Sequence, residues 1–238
     1  MERTKPSFKV TPAVTTIAVD GVVYNASPVG PNTWYQVRER DYGKGFKQGY
    51  FGPNFNLVHG CYVNKDSKDE QIRKHANGVV SVARNNWVTG RTALYSGDKE
   101  SELIFIQDEP KVKDGRIVMS QKALEARLGS RRRKIGNVIF SDDGLVRAIP
   151  RADVREGEYG AEQMRKLSYP IFMTGDADAP EKMVDIMKIA GKSGYLCVPY
   201  PNSIRVPGLS EGGGGVFLVG SFTGEFVVGW CSFGVRQQ

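Results

Sequence analysis

The chain has 238 residues, of which 40% are hydrophobic and 25% are charged. This length and composition suffice for a buried core and exclude a largely disordered protein. The formal net charge of +7 favours an anionic partner, most often nucleic acid.

The cysteines and the apolar runs indicate the cellular compartment of the protein. Cys61, Cys197 and Cys231 form no CxxC pair, so free thiols in a reducing compartment are expected. No apolar run reaches the roughly 20 residues that cross a bilayer, and the first residues lack a hydrophobic signal core. We therefore expect a cytoplasmic protein, or a virion component if the source is viral, with no membrane partner.

Short strands dominate the first half of the chain. Asp20-Gly21 and Asp114-Gly115 favour two-residue hairpin loops, because Gly accepts the positive φ of primed turns. Together with β-branched and aromatic runs, they predict strands at Val14–Val19, Val22–Asn25, Trp34–Arg38, Asn56–Val63, Val79–Ala83, Thr92–Tyr95, Leu103–Gln107, Lys111–Lys113 and Arg116–Met119. Ser67 and Glu70 form a capping box that predicts a helix at Gln71–Ala76, ended by Asn77-Gly78.

The second half adds two helices and more hairpins. Ser120 and Gly129 bracket a helix at Gln121–Leu128. Apolar residues at helical spacing predict another at Pro180–Ala190, and a weaker pattern covers Ala161–Lys166. Asp143-Gly144 and Thr223-Gly224 predict two further hairpin turns. The predicted strands are Val138–Ser141, Leu145–Ile149, Pro170–Met173, Tyr195–Val198, Val216–Phe222 and Glu225–Trp230.

These elements predict an α+β protein that is mainly β. We expect an antiparallel, hairpin-rich sheet, or a sandwich or barrel, with about three short helices. The whole chain, residues 1–238, is interpreted as a single β-rich domain, with a weak break between lobes near residues 150–160 as the alternative.

The first candidate site is the glycine-punctuated segment from Trp34 to Phe55. Its cations and aromatic residues alternate, a composition typical of proteins that bind single strands. The cations can hold phosphates, and each ring can stack on a base for about 1–3 kcal/mol. The alternative is that the rings fill the core, as large aromatic side chains commonly do. The candidate residues are Trp34, Tyr35, Arg38, Arg40, Tyr42, Lys44, Phe46, Lys47 and Tyr50.

The second candidate is the densest run of positive charge, Arg131, Arg132, Arg133 and Lys134. Cations following a helix suit the negative end of its dipole, and a compact cluster can bind phosphates through counterion release. A solvated loop is the alternative.

Other constellations favour structural roles. His59 and Cys61 would share one face of a strand near His75, but a zinc site lacks a clear fourth ligand. The carboxylates between Asp176 and Asp185 fit helix capping better than a metal loop. The mixed charges around Arg147 indicate a surface network, and the Gly212–Gly215 run indicates a flexible connection.

The leading hypothesis is a non-enzymatic nucleic-acid-binding protein that recognises single strands or the backbone. No catalytic motif is present, and we expect no cofactor and no metal. The alternatives are a virion or assembly subunit that forms a homo-oligomer, and a nuclease or hydrolase that uses carboxylates and a metal.

Overall fold

The computed structural model describes residues 6–11, 16–98, 102–129, 133–222 and 229–236. Seven helices lie within these ranges: α1 Trp34–Arg38, α2 Phe51–Asn64, α3 Glu70–Asn85, α4 Gln121–Leu128, α5 Ala161–Met164, α6 Tyr169–Thr174 and α7 Ala179–Ala190. A short 3-10 turn spans Arg151–Asp153.

The strands are short and numerous. They are β1 Phe8–Thr11, β2 Thr16–Val19, β3 Val22–Asn25, β4 Val29–Asn32, β5 Phe46–Gln48, β6 Trp87–Val88, β7 Thr92–Ser96, β8 Leu103–Asp108, β9 Lys111–Lys113, β10 Arg116–Val118, β11 Arg133–Ile135, β12 Val138–Phe140, β13 Val146–Pro150, β14 Gly157–Tyr159, β15 Gly194–Cys197, β16 Ser203–Glu211, β17 Val216–Phe222, β18 Trp230–Ser232 and β19 Gly234–Arg236.

The described strands form three sheets and no closed barrel. The largest runs β11-β12-β13-β8-β7-β16-β17-β15-β14, with β4, β6 and β18 attached beside it. A five-stranded sheet runs β1-β2-β3-β19-β5, and β9 and β10 form a separate two-stranded ribbon. Most pairs are antiparallel, so the prediction of an α+β, mainly β fold is confirmed. That the chain is a single domain stays a prediction.

Three of the predicted hairpins are confirmed by the pairing register. Strand β2 pairs with β3, β9 with β10 and β12 with β13, each antiparallel across a loop that contains an Asp-Gly pair. Asp20 and Asp114 themselves adopt positive φ, as a primed turn requires. The fourth predicted hairpin turns at Thr223-Gly224, which lies outside the described residues.

Four predicted strands are wrong because the segments are helical. Residues 56–63 lie in α2, which is buried on nearly all sides, and a continuous apolar run does not distinguish a buried helix from a buried strand. Residues 79–83 continue α3 past the predicted stop at Gly78. Residues 170–173 lie in α6, where Pro170 occupies the first turn. The helix count of about three was correspondingly too low.

The fourth of these segments is Trp34–Arg38, which forms α1 instead of a strand. Thr33 accepts a hydrogen bond from the backbone N–H of Gln36, and the Gln36 side chain accepts one from the Thr33 backbone, which makes a capping box. This reciprocal cap favours a helical turn over the extended backbone that the aromatic composition indicated.

The main core lies between the sheets and helices α2, α3, α6 and α7. A smaller cluster gathers Trp34, Val37, Tyr42, Val206 and Trp230. This second cluster fixes the backbone of the segment that contains the first candidate site.

Candidate nucleic-acid interface

Two of the predicted stacking rings are buried. Trp34 is 0% exposed, and its indole N–H donates to the Gly90 carbonyl at 2.9 Å. Tyr42 is 4% exposed, and its hydroxyl donates to the Val37 carbonyl at 2.9 Å. Both rings belong to the small core cluster, so neither presents a face to a base in this structure.

The other predicted residues of this segment reach the surface to different extents. Tyr35, Arg38, Phe46 and Tyr50 are half-buried, whereas Arg40, Lys44 and Lys47 are exposed. The guanidinium of Arg38 lies over the Trp34 ring, 5.4 Å from its centroid, and covers the core cluster.

Lys47 and Tyr50 line a cavity of about 330 Å³, which we call the cationic pocket. Its other cations are Arg91 and Arg236, neither of which the sequence indicated as a site residue. The pocket also has apolar walls, formed by Val22, Val23, Pro53 and Val235. An apolar cavity beside three cations suits a ligand with a flat apolar body and a negative charge.

Strand pairing brings distant residues to this pocket. Strand β19 lies between β3 and β5, with Val235 opposite both Lys47 and Tyr24. Arg236 is paired with Phe46, and its guanidinium lies 5.1 Å from the centre of that ring. The C-terminal strand thus adds a cation and a cation–π contact to the aromatic segment.

Arg91 reaches the pocket because the backbone near Gly90 approaches the start of α2 closely. The Arg91 N–H donates to the Gly49 carbonyl at 2.9 Å. A Cβ at Gly90 would lie 2.2 Å from the Phe51 nitrogen, so only glycine fits there without a backbone shift.

The electrostatics of the pocket combine three positive groups with one carboxylate. Arg91 Nη1 lies 3.5 Å from a Glu109 carboxylate oxygen. Burial lowers the pKa of the Arg38 guanidinium, and the nearby charge of Arg91 lowers it further. Since arginine stays protonated, both Arg38 and Arg91 keep their positive charge. Burial also raises the pKa of the Tyr50 phenol, with Glu109 adding to the effect, so Tyr50 is a neutral hydrogen-bond donor.

Gln48 also lines the pocket and has an unusual side chain. The residue is 6% exposed, and neither its amide nitrogen nor its amide oxygen has a hydrogen-bond partner among the described residues. An unpaired buried amide costs about 1–3 kcal/mol.

A buried network lies behind the pocket. Asp108 accepts hydrogen bonds from Thr92 and, at 2.7 Å, from Arg147. The Thr92 hydroxyl accepts from the Phe51 N–H at 3.0 Å, next to Tyr50 at the start of α2. Arg147 is 2% exposed, so the predicted surface network around it is wrong at this position. It is instead buried and paired with Asp108.

The second candidate cluster is only partly described. Arg131 and Arg132 lie outside the described residues. Arg133 and Lys134 are exposed and form strand β11, not a solvated loop. The Arg133 guanidinium lies 4.7 Å from the centre of the Phe140 ring.

The remaining candidate constellations have structural partners. Because residues 56–63 are helical, His59 and Cys61 do not share a strand face: His59 contacts Asp185 at 3.1 Å, and Cys61 is buried in the core. Asp176 pairs with Lys182 at 2.6 Å. Over the described ranges, no group of three or more His, Cys, Asp or Glu side chains is placed to hold a metal ion.

The glycine run near residue 212 begins at an anchored position. Glu211 is 6% exposed and lies 2.8 Å from Arg84 Nε and 3.0 Å from Lys192 Nζ. Tyr62 also donates a hydrogen bond to it. The residue that precedes the predicted flexible connection is therefore tied to the core.

Comparison with known proteins adds little to this picture. No family model and no curated protein matches the chain. One solved structure, described as "Accommodation of massive sequence variation in Nanoarchaeota by the C-type lectin fold", is similar over 89% of this chain and 97% of its own, with 11% identity and a TM-score of 0.45. Similarity at this level assigns neither a fold nor a function.

Among the helices of the described residues, none combines the length and the apolar character that spanning a bilayer requires.

Proposed function

We propose that this protein binds single-stranded nucleic acid without catalysis, and that the cationic pocket receives one unpaired base. The observation that carries the proposal is the convergence of Lys47, Arg91 and Arg236 on a cavity with apolar walls. Cations at a pocket opening suit the phosphates that flank a base, and the walls suit the base itself.

The surrounding rings support the same ligand. Tyr50 lines the pocket as a neutral phenol, and Phe46 lies beneath Arg236, whose planar guanidinium can stack on a base. These contacts replace the stacking that the sequence attributed to the buried Trp34 and Tyr42 rings.

Gln48 supplies a candidate contact to the base edge. Its unpaired amide offers both a donor and an acceptor, and a side-chain rotation toward the cavity would let it bond to the edge of a base. An unpaired strand is favoured because a base can enter a pocket only when it is out of the duplex stack.

The test is fluorescence anisotropy with a labelled single-stranded oligonucleotide over a series of salt concentrations. We expect the Lys47→Gln/Arg236→Gln double variant to bind more weakly and to reduce the slope of log K against log salt by about 1.4, since each lost single-strand phosphate contact contributes about 0.7.

The matched control is the Lys68→Gln/Lys74→Gln double variant, which removes the same charge from exposed positions on and before α3. No binding by the native protein at low salt would refute the proposal. Equal losses in the two double variants would also refute it, because only net charge would then matter. The assembly subunit and the metal-dependent hydrolase stay predictions.

A further inference from the structure

The two-stranded ribbon of β9 and β10 has one strongly basic face. Lys113 is paired with Arg116, and Lys111 with Val118, so these four side chains share a face. All four are exposed, and Val118 is 50% exposed. Three cations therefore lie on a face that no described strand covers, with the Asp114 carboxylate at its turn.

The opposite face of the ribbon is anchored. Val112 and Ile117 pack against the small core cluster around Trp34. The Ile117 N–H donates to the Tyr35 hydroxyl at 3.1 Å, and Arg38 donates to the Pro110 carbonyl at 3.0 Å. Helix α1 thus holds the ribbon in a fixed orientation.

The ribbon begins at the edge of the cationic pocket. Glu109 lines that pocket and precedes Lys111 by two residues. The Glu109 N–H donates to the Arg91 carbonyl at 2.9 Å, so the pocket and the start of the ribbon share a backbone contact.

We infer that the exposed face of the ribbon is a second part of the binding site, which holds the phosphates of nucleotides that flank the base in the pocket. This inference depends on the proposed function. Lys111 and Lys113 are two residues apart on a strand, hence separated by about 7 Å, a distance comparable to that between successive phosphates of an extended strand. Arg116, opposite Lys113, adds a third positive charge to the same face.

The inference makes affinity depend on oligonucleotide length. A dinucleotide, with a single internucleotide phosphate, can fill the pocket without reaching along the ribbon, whereas a 15-nucleotide strand contacts both. The test compares the native protein with the Lys111→Gln/Lys113→Gln/Arg116→Gln variant. Its matched control is Lys68→Gln/Lys74→Gln/Lys166→Gln, which removes three exposed cations elsewhere.

For the 15-mer, we expect the ribbon variant to reduce the salt slope by about 2, since three single-strand phosphate contacts are lost. Dinucleotide binding should change by less than about twofold, and the control should keep most of the native slope. Single variants at Lys111 and at Arg116 should each remove part of the effect, which keeps the test valid if the triple variant folds poorly.

Four outcomes would overturn the inference. The first is native-like 15-mer binding by the ribbon variant, which leaves the proposed function intact. The second is an equal loss for both lengths in a variant whose unfolding midpoint is native. The third is a preference for a 15-base-pair duplex that the ribbon variant abolishes, because a two-stranded ribbon can also enter a major groove. The fourth is that the native protein binds neither oligonucleotide, in which case the inference and the proposed function fail together.

Discussion

The Asp108–Arg147 pair is a buried interaction whose loss should destabilise the fold strongly. The two residues are 5% and 2% exposed, and Arg147 Nη1 lies 2.7 Å from Asp108 Oδ2. Arg147 also donates to the carbonyl of Phe172 at 3.0 Å. Replacing Asp108 with Asn preserves the shape of the side chain. The buried guanidinium of Arg147 then has only neutral hydrogen-bond acceptors.

Removing one partner of a buried ion pair costs about 3–5 kcal/mol. Because Asn can still accept the Thr92 hydroxyl bond, we place Asp108→Asn at the lower end, about 3 kcal/mol. With a urea m-value of about 2–3 kcal/mol/M, the unfolding midpoint should fall by about 1–1.5 M.

An exposed pair provides the matched comparison. Arg127 and Asp143 have the same 2.7 Å separation, but their side chains are 37% and 45% exposed. Breaking that pair with Arg127→Gln should cost less than about 1 kcal/mol, since exposed ion pairs are solvated and screened. Urea unfolding followed by circular dichroism measures both variants. A loss below about 1 kcal/mol for Asp108→Asn, or equal losses for the two, would refute the role assigned to burial.

Three further predictions concern the carboxylates and the glycines. Burial raises the pKa of Glu211, but donation from Tyr62, Arg84 and Lys192 outweighs it and leaves the pKa below its ordinary value. The resulting stability is present above the unfolded pKa of about 4.3 and is lost as pH falls through the lower folded value. Glu211→Gln should therefore cost about 1–3 kcal/mol at pH 7, and urea titrations should show the gap closing in acid; a gap that widens in acid contradicts the sign. Despite the opposing effect of burial, hydrogen bonds from Ser141 and Arg127 hold the pKa of Asp143 at about 2. Arg127→Gln should raise that pKa in a carboxyl NMR titration, and an unchanged value would exclude the contact in solution. Gly90→Ala should cost about 1–3 kcal/mol through overpacking against the Tyr50–Phe51 backbone. Gly78→Ala, at an open position within α3, should instead raise stability by about 0.5–1 kcal/mol. Melting temperatures that shift in the same direction for both glycine variants would contradict the crowded environment assigned to Gly90 and the open one assigned to Gly78.

Local chemistry allowed the hairpins and two helices to be predicted. The Asp-Gly pairs determine their turns through positive φ, which depends on two residues and their neighbours alone. Helix α4, and α7 to within one residue of its start, were predicted from breakers and apolar spacing, which are also local signals.

Because α2 is buried on nearly all sides, the sequence did not indicate that this segment is a helix. Its hydrophobic residues surround the helix, so no amphipathic stripe distinguishes it from a strand. In α3 the Asn77-Gly78 pair resembled a stop, yet the helix continues because Val79, Val80 and Ala83 are buried in the core. Tertiary packing overrode a local preference of about 1 kcal/mol.

The sequence by itself determined the class of fold, the turn positions and the presence of cations near aromatic rings, because these follow from short-range backbone preferences and composition. Only the tertiary structure decided which rings are buried and which cations meet. Arg91 and Arg236 reach Lys47 through a close backbone approach at Gly90 and through the pairing of β19 with β5. Contacts between residues so far apart in the chain depend on sheet register and packing, which no local pattern encodes.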